Sequence, residues 1–217
     1  MFFHFLLARR LGLVLVLIAA LAGLAAQLAV STTSFRAMGG GLADAFWRIT
    51  LYFTVLTNGL VAAVCAASLI DEDGRSFFSR ASTQGAAALS IAVVGIVYSL
   101  LLRALWNPQG LQFTADLLLH DVTPSLYVLC WLFFMRKGEL RWGHALWWLA
   151  YPLAYLIYAL TRGATEGLYP YPFIDIAALG GWIVARNSLL MLALFLGLGF
   201  VVLAIDRVIG GRAAALR

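Results

Sequence analysis

Six apolar runs order the chain: Leu11–Val30, Ile49–Ile70, Gly85–Trp106, Ala115–Met135, Ala145–Leu160 and Trp182–Ile205. Each approaches the roughly 20 residues that a helix needs to cross the hydrocarbon of a bilayer. The pattern predicts an all-α fold, a polytopic membrane protein with six transmembrane helices in a single domain over residues 1–217. The longest connections, Ser31–Arg48, Asp71–Gln84 and Thr161–Gly181, leave no room for a soluble domain. Arg9 and Arg10 ahead of the first run are also the opening of a signal peptide. That run, however, exceeds the usual 7–15-residue signal core, so a retained helix is expected.

The polar residues that interrupt these runs are few. Within Leu117–Phe134 stand His120, Asp121, Thr123 and Pro124. An ionisable group at the centre of a membrane helix costs roughly 2.5–3.5 kcal/mol on insertion scales, so its presence marks a functional-site hypothesis. Thr54, Thr57 and Asn58 interrupt the second run at i, i+3, i+4 and share one helical face.

Composition agrees with the pattern. Hydrophobic residues make up 63% of the chain and charged ones 12%, where a soluble domain carries about 25% charged. A net charge of +5 points to nucleic acid in a soluble protein, but here the basic residues flank the runs and follow membrane topology. With the N-terminus inside, Arg9, Arg10, Arg75, Arg80, Arg136, Lys137, Arg141, Arg207, Arg212 and Arg217 lie on the inner side, ten of the 15 Lys and Arg residues. Both termini are then cytoplasmic. Cys65 and Cys130 sit inside apolar runs and make neither a disulfide framework nor a metal site. No cofactor is implied, and nothing fixes an oligomeric state.

This orientation gathers polar residues in the outer third. At 1.5 Å per residue, Thr54, Thr57 and Asn58 lie roughly 7–14 Å below the outer end of the second run, and His120 and Asp121 lie at similar depth in the fourth. Arg103, Arg162 and the Arg186-Asn187-Ser188 sequence sit at outer ends, while inner halves such as Val61–Leu69 are almost purely apolar. The threonine–asparagine face serves either a nucleophile and ligand or helix packing. His120 is either a general base or a hydrogen-bonded structural residue. Asp116, one turn above His120 on its face, is the better-placed orienter, since Asp121 points elsewhere. Pro124 frees the carbonyl of His120. Tyr151, Tyr155, Tyr158 and Arg162 form one stripe, either a cavity wall ending in an anion anchor or an interfacial belt. Arg103 and Arg186 are equally anion anchors or snorkelling residues. The stiff segment Tyr169-Pro170-Tyr171-Pro172-Phe173-Ile174-Asp175 is expected as a lid, with Asp175 pairing an arginine.

Three segments, YFTVLTN, HDVTPSLYVLCWLFF, and YPLAYLIYALTRG followed by YPYPFID, resemble the bacterial six-helix Pr-six-Pr membrane proteins over roughly Thr50–Asp175. That family is remotely similar to the androgen-induced-gene and androgen-dependent TFPI-regulating proteins, which are intramembrane hydrolases of fatty acid esters of hydroxy fatty acids. The resemblance implies a lipid ester hydrolase of the bacterial cytoplasmic membrane. Its Tyr-x-Thr pattern falls on Tyr52-Phe53-Thr54, making Thr54 the nucleophile, with Thr57 a rival, and its histidine falls on His120 as general base. In that frame Asn58 is the oxyanion donor. Arg103, Tyr155, Tyr158, Arg162, Asp175, Arg186 and Asn187 complete the substrate-binding set. The partners are a lipid or fatty acid ester substrate and membrane lipids, with no nucleic acid. The alternative is a non-enzymatic lipid or small-molecule binding protein, or a transporter, using the same outward-facing pocket.

Overall fold

The computed structural model describes residues 2–215, with side chains from 4 to 211, and every regular element among them is helical. Arg217, counted above on the inner side, lies outside the described residues, as does the side chain of Arg212. Five helical stretches are long and apolar enough to cross a membrane: His4–Ala37, Phe53–Ile70, Ala81–Leu105, Leu111–Phe134 and Gly181–Gly211. These long apolar helices are compatible with an integral membrane protein. The chain divides into two compact units, Met1–Glu139 and Leu140–Arg217.

In the first unit α1 (Phe2–Ala37) packs along α3 (Phe53–Ile70), α5 (Leu111–Leu117) and α6 (Thr123–Phe134), while α4 (Ala81–Val97) packs on α3 and α6. The second apolar run breaks where Thr50–Tyr52 leave the helix. Its first residues join the short amphipathic α2 (Leu42–Ile49), which buries Ala45 and Ile49. Thr54 is consequently the second residue of α3, at the very start of that helix, rather than well below its outer end.

Two helices carry a single π turn, each an i→i+5 closure. At the end of α4, over Tyr98–Leu102, the Arg103 N–H donates to the Tyr98 carbonyl. Between α5 and α6, over Leu118–Val122, the Thr123 N–H donates to the Leu118 carbonyl. Such one-turn bulges occur often at functional sites.

The helix ends expected on the inner side are less apolar than the sequence pattern implies. The Gln84 Nε2 donates to the Ser68 Oγ and the Ser79 carbonyl, both at 3.0 Å, and the buried Tyr127 hydroxyl donates to the Gln84 carbonyl at 3.1 Å. Arg9 reaches the Ser68 carbonyl, and both Arg9 and Arg10 pair with Glu72. In the loop after α3, the Ser79 hydroxyl and then the Ser76 N–H hold the Asp71 carboxyl down at about 2.

In the second unit, residues 144–166 form two helices instead of one span: α7 (His144–Trp148) and α8 (Ala150–Glu166). With the short α9 (Ile176–Leu179) and a 3-10 turn at Pro172–Ile174, they pack on α10 (Gly181–Ala215). The buried Asp206 on α10 accepts the Leu140 N–H at 3.1 Å. The His144 Nδ1 accepts the Arg141 N–H at 3.0 Å.

Small residues set how closely the first-unit helices approach. A Cβ on Gly23 of α1 would stand 2.8 Å from Leu119 Cδ2 and 3.1 Å from Leu118 Cβ, both in the π turn. Overpacking of this kind costs about 1–3 kcal/mol. Gly23→Val is expected to lower the thermal midpoint in detergent micelles, and a variant that melts with the wild type contradicts this packing.

Candidate functional site

The site of the first unit is built on the π turn Leu118–Val122. A π register pairs each carbonyl with the N–H five residues on, so the Leu119 carbonyl would need the N–H of Pro124, which proline lacks. The expected orphan at His120 therefore moves one residue back. Asn58, fully buried on α3, supplies the missing donor: its Nδ2 bonds the Leu119 carbonyl at 3.1 Å and the Thr54 carbonyl at 2.9 Å. Both Nδ2 hydrogens are then spent. This corrects the expectation that Asn58 donates to an oxyanion. Asn58 thus stands beside the His120 turn, and Thr54 lies one helical turn nearer the start of α3.

Gly95 completes the arrangement from α4. A Cβ there would meet Pro124 Cβ at 3.3 Å and the His120 carbonyl at 3.4 Å, so α4 approaches the interrupted helix through a glycine.

His120 is held from two sides. Its Nδ1 lies 3.1 Å from the Asp116 carbonyl and 3.1 Å from the Asp116 Oδ1. The geometry directs the hydrogen bond to the carbonyl, and Oδ1 has no hydrogen-bond partner. A carbonyl only accepts, so Nδ1 carries the proton and neutral His120 keeps its lone pair on Nε2. The Tyr98 ring stacks on the imidazole with centroids 3.9 Å apart and 16° between planes. The Tyr98 hydroxyl donates to Asp116 Oδ2. Arg103 lies over the same Tyr98 ring at 4.9 Å and pairs with Asp121. It is thus already matched to a carboxylate, and its expected use as an anion anchor competes with Asp121.

His120 and Asp121 border an open groove of about 660 Å³ between α4 and α6, otherwise lined by residues such as Gly95, Ile96, Leu100 and Leu129. Ser99 and Ser125 share that lining, whereas Thr54 and Thr57 do not. Thr54 is 8% exposed and Thr57 fully buried, both in the α3 face turned to the core.

The remaining candidates lie in the second unit, where most serve its internal order. Arg162, 5% exposed, makes a two-point pair with Glu166 at 2.8 Å through Nε and Nη2, and its Nη1 donates to the Tyr158 hydroxyl at 2.8 Å. Its guanidinium is thereby occupied within its own helix instead of standing ready for a ligand anion. Tyr155 and Tyr158 are ring neighbours at 6.4 Å, and Tyr155 packs against the core of Ala159, Ile174 and Val184. Asp175 caps α9 by accepting the Ala178 N–H at 3.0 Å; no ion pair of Asp175 with an arginine occurs among the described residues. The Asn187 Nδ2 donates to the Phe173 carbonyl at 2.9 Å, tying down the Tyr171–Phe173 segment. Arg186 is exposed, with a single weak contact to Asn187 at 3.3 Å.

Tyr98 is the member that sequence pattern missed. It lies five residues before Arg103, a spacing that joins them only through a π turn. Among the described residues no cluster of His, Cys, Asp and Glu is arranged to hold a metal ion. By fold and site the chain is a helical protein of membrane type in which a half-buried histidine joins a buried carboxylate and tyrosine. No protein-family model, curated protein or solved structure matches it.

Removing the Asn58 side chain leaves a buried carbonyl unpaired, at a cost of about 1–3 kcal/mol. Asn58→Ala is expected to melt earlier in micelles and to raise amide exchange around Leu118–Val122. An unchanged exchange pattern in that turn contradicts the role given to Asn58.

Proposed function

We propose that the protein is an intramembrane hydrolase of lipid esters, of the fatty acid ester of hydroxy fatty acid type, with His120 as general base and Thr54 as nucleophile. The carrying observation is the setting of His120: Nδ1 meets the Asp116 carbonyl at 3.1 Å, which leaves Nε2 as the nitrogen to take a proton, and the ring borders an apolar groove. The substrate class comes from the remote similarity of the Pr-six-Pr proteins to the androgen-induced-gene and androgen-dependent TFPI-regulating hydrolases. In this reading α7 and α8 together make a sixth crossing, both termini are cytoplasmic, and the membrane is the bacterial cytoplasmic membrane.

The chemistry balances on these groups. Nε2 takes the hydroxyl proton of Thr54 as Oγ1 adds to the ester carbonyl, and the proton passes to the departing alkoxide as the C–O bond breaks. Water then adds to the acyl-threonine, again losing a proton to His120, and the carboxylic acid leaves as threonine is restored. With Asn58 spent, oxyanion stabilisation falls to the start of α3. There the positive end of the helix dipole favours negative charge beside Thr54.

One observation favours the second reading, a lipid or small-molecule binding protein or transporter: Thr54 is not among the residues lining the groove that His120 borders. Hydrolysis of a long-chain p-nitrophenyl ester by the protein in nanodiscs separates the two. Thr54→Ala and His120→Ala are each expected to lower kcat by about 10²–10⁴-fold, with Thr57→Ala, Ser99→Ala and Ser125→Ala near wild type. Hydrolysis that survives in both of the first two variants overturns the reading; loss on Ser99→Ala or Ser125→Ala alone moves the nucleophile into the groove.

A further inference from the structure

Four of the buried oxygens that lack a hydrogen-bond partner belong to this one region: Asn58 Oδ1, Asp116 Oδ1, Asp121 Oδ2 and Thr123 Oγ1. Asp116 is the informative one. Its two carboxylate oxygens are treated differently. Oδ2 receives the Tyr98 hydroxyl, while Oδ1 stands 3.1 Å from the His120 Nδ1 without a hydrogen bond, because the Nδ1 proton is aimed at the Asp116 main-chain carbonyl at the same distance. An unpaired carboxylate oxygen on a residue only 5% exposed is a costly arrangement if it does nothing.

We infer that Asp116 and Tyr98 are positioning residues for His120: Tyr98 fixes the carboxylate, and Asp116 Oδ1 waits to receive the Nδ1 proton when the imidazole becomes charged. Two acceptors at equal distance from one N–H give His120 a choice. Neutral, it donates to the carbonyl. Once Nε2 has taken a proton, Nδ1–H swings to the carboxylate, and a charge-assisted bond replaces a neutral one. The gain arises only in the charged form, so it lowers the barrier to proton transfer without tightening the ground state. The stacked Tyr98 ring keeps the imidazole plane within reach of both acceptors, and Arg103 over that ring, anchored by Asp121, keeps Tyr98 from turning. α1 meets this turn at Gly23, α3 at Asn58 and α4 at Gly95, none of them titratable.

The catalytic half of this inference rests on the ester-hydrolase reading; the geometric half does not. Full-length protein in nanodiscs, labelled with ¹⁵N-histidine and with the His120 signals assigned by their loss in His120→Asn, tests the second. Neutral wild type is expected to show His120 as the Nδ1–H tautomer. On acidification its Nδ1–H proton resonance moves downfield in the wild type and stays near its neutral position in Asp116→Asn. An Nε2–H tautomer in the wild type, or the same movement in Asp116→Asn, overturns the inference. In ester hydrolysis Asp116→Asn is expected to lower kcat by at least about 10²-fold and Tyr98→Phe by about tenfold, one hydrogen bond's worth, both with KM held. Because Tyr98 acts through Asp116, the double variant is expected to be no slower than Asp116→Asn. Additive losses overturn the shared role. Correct tautomer behaviour in a protein that turns over no ester upholds the positioning unit and sinks the hydrolase reading instead.

Discussion

A backbone group that crosses hydrocarbon without a partner costs several kcal/mol, and helices survive there because they satisfy every such group internally. The Leu118–Val122 turn breaks that rule. Its π register and Pro124 together leave the Leu119 carbonyl without a main-chain donor, and one side chain, Asn58, repairs the gap from a neighbouring helix. Gly23 on α1 and Gly95 on α4 then allow two more helices to close around the repaired turn. The first unit is organised around an interruption that its neighbours complete.

The interruption is also what makes chemistry possible. A regular helix presents each residue to one neighbour, whereas the π turn and its counterpart at Tyr98–Leu102 bring Tyr98, Asp116 and His120 into one hydrogen-bonded and stacked group. The same turn opens a groove beside Gly95 and Pro124. One consequence cuts against a simple transfer of roles: an asparagine that completes the fold cannot also serve an oxyanion, so the start of α3 takes over that task in the proposed reaction.

Much of this was legible in the sequence, and the losses have physical causes. Hydropathy runs located the five helices that are long and apolar enough to cross a membrane, and the cost of a histidine in such a run pointed to the turn that carries the π register. The pairing of Asp116 with His120 followed from i, i+4 spacing. Tyr98 escaped because a π turn has no sequence signature comparable to helical periodicity. Thr54 lies nearer the start of its helix than the apolar run over Ile49–Ile70 suggests, because that run hides the break at Thr50–Tyr52. In the second unit, charge and spacing suggested ligand contacts for Arg162 and Asp175. Glu166, four residues on, and the α9 N-cap satisfy them locally instead, which polarity alone does not distinguish from function.

In the proposed reaction His120 activates a hydroxyl on α3. A lipid-like fluorophosphonate reacts only with an activated nucleophile, and peptide mass spectrometry locates the adduct. Wild type is predicted to carry the phosphonyl group on Thr54 and to lose labelling in His120→Ala. Labelling on another residue, or none on the wild type, contradicts the claim.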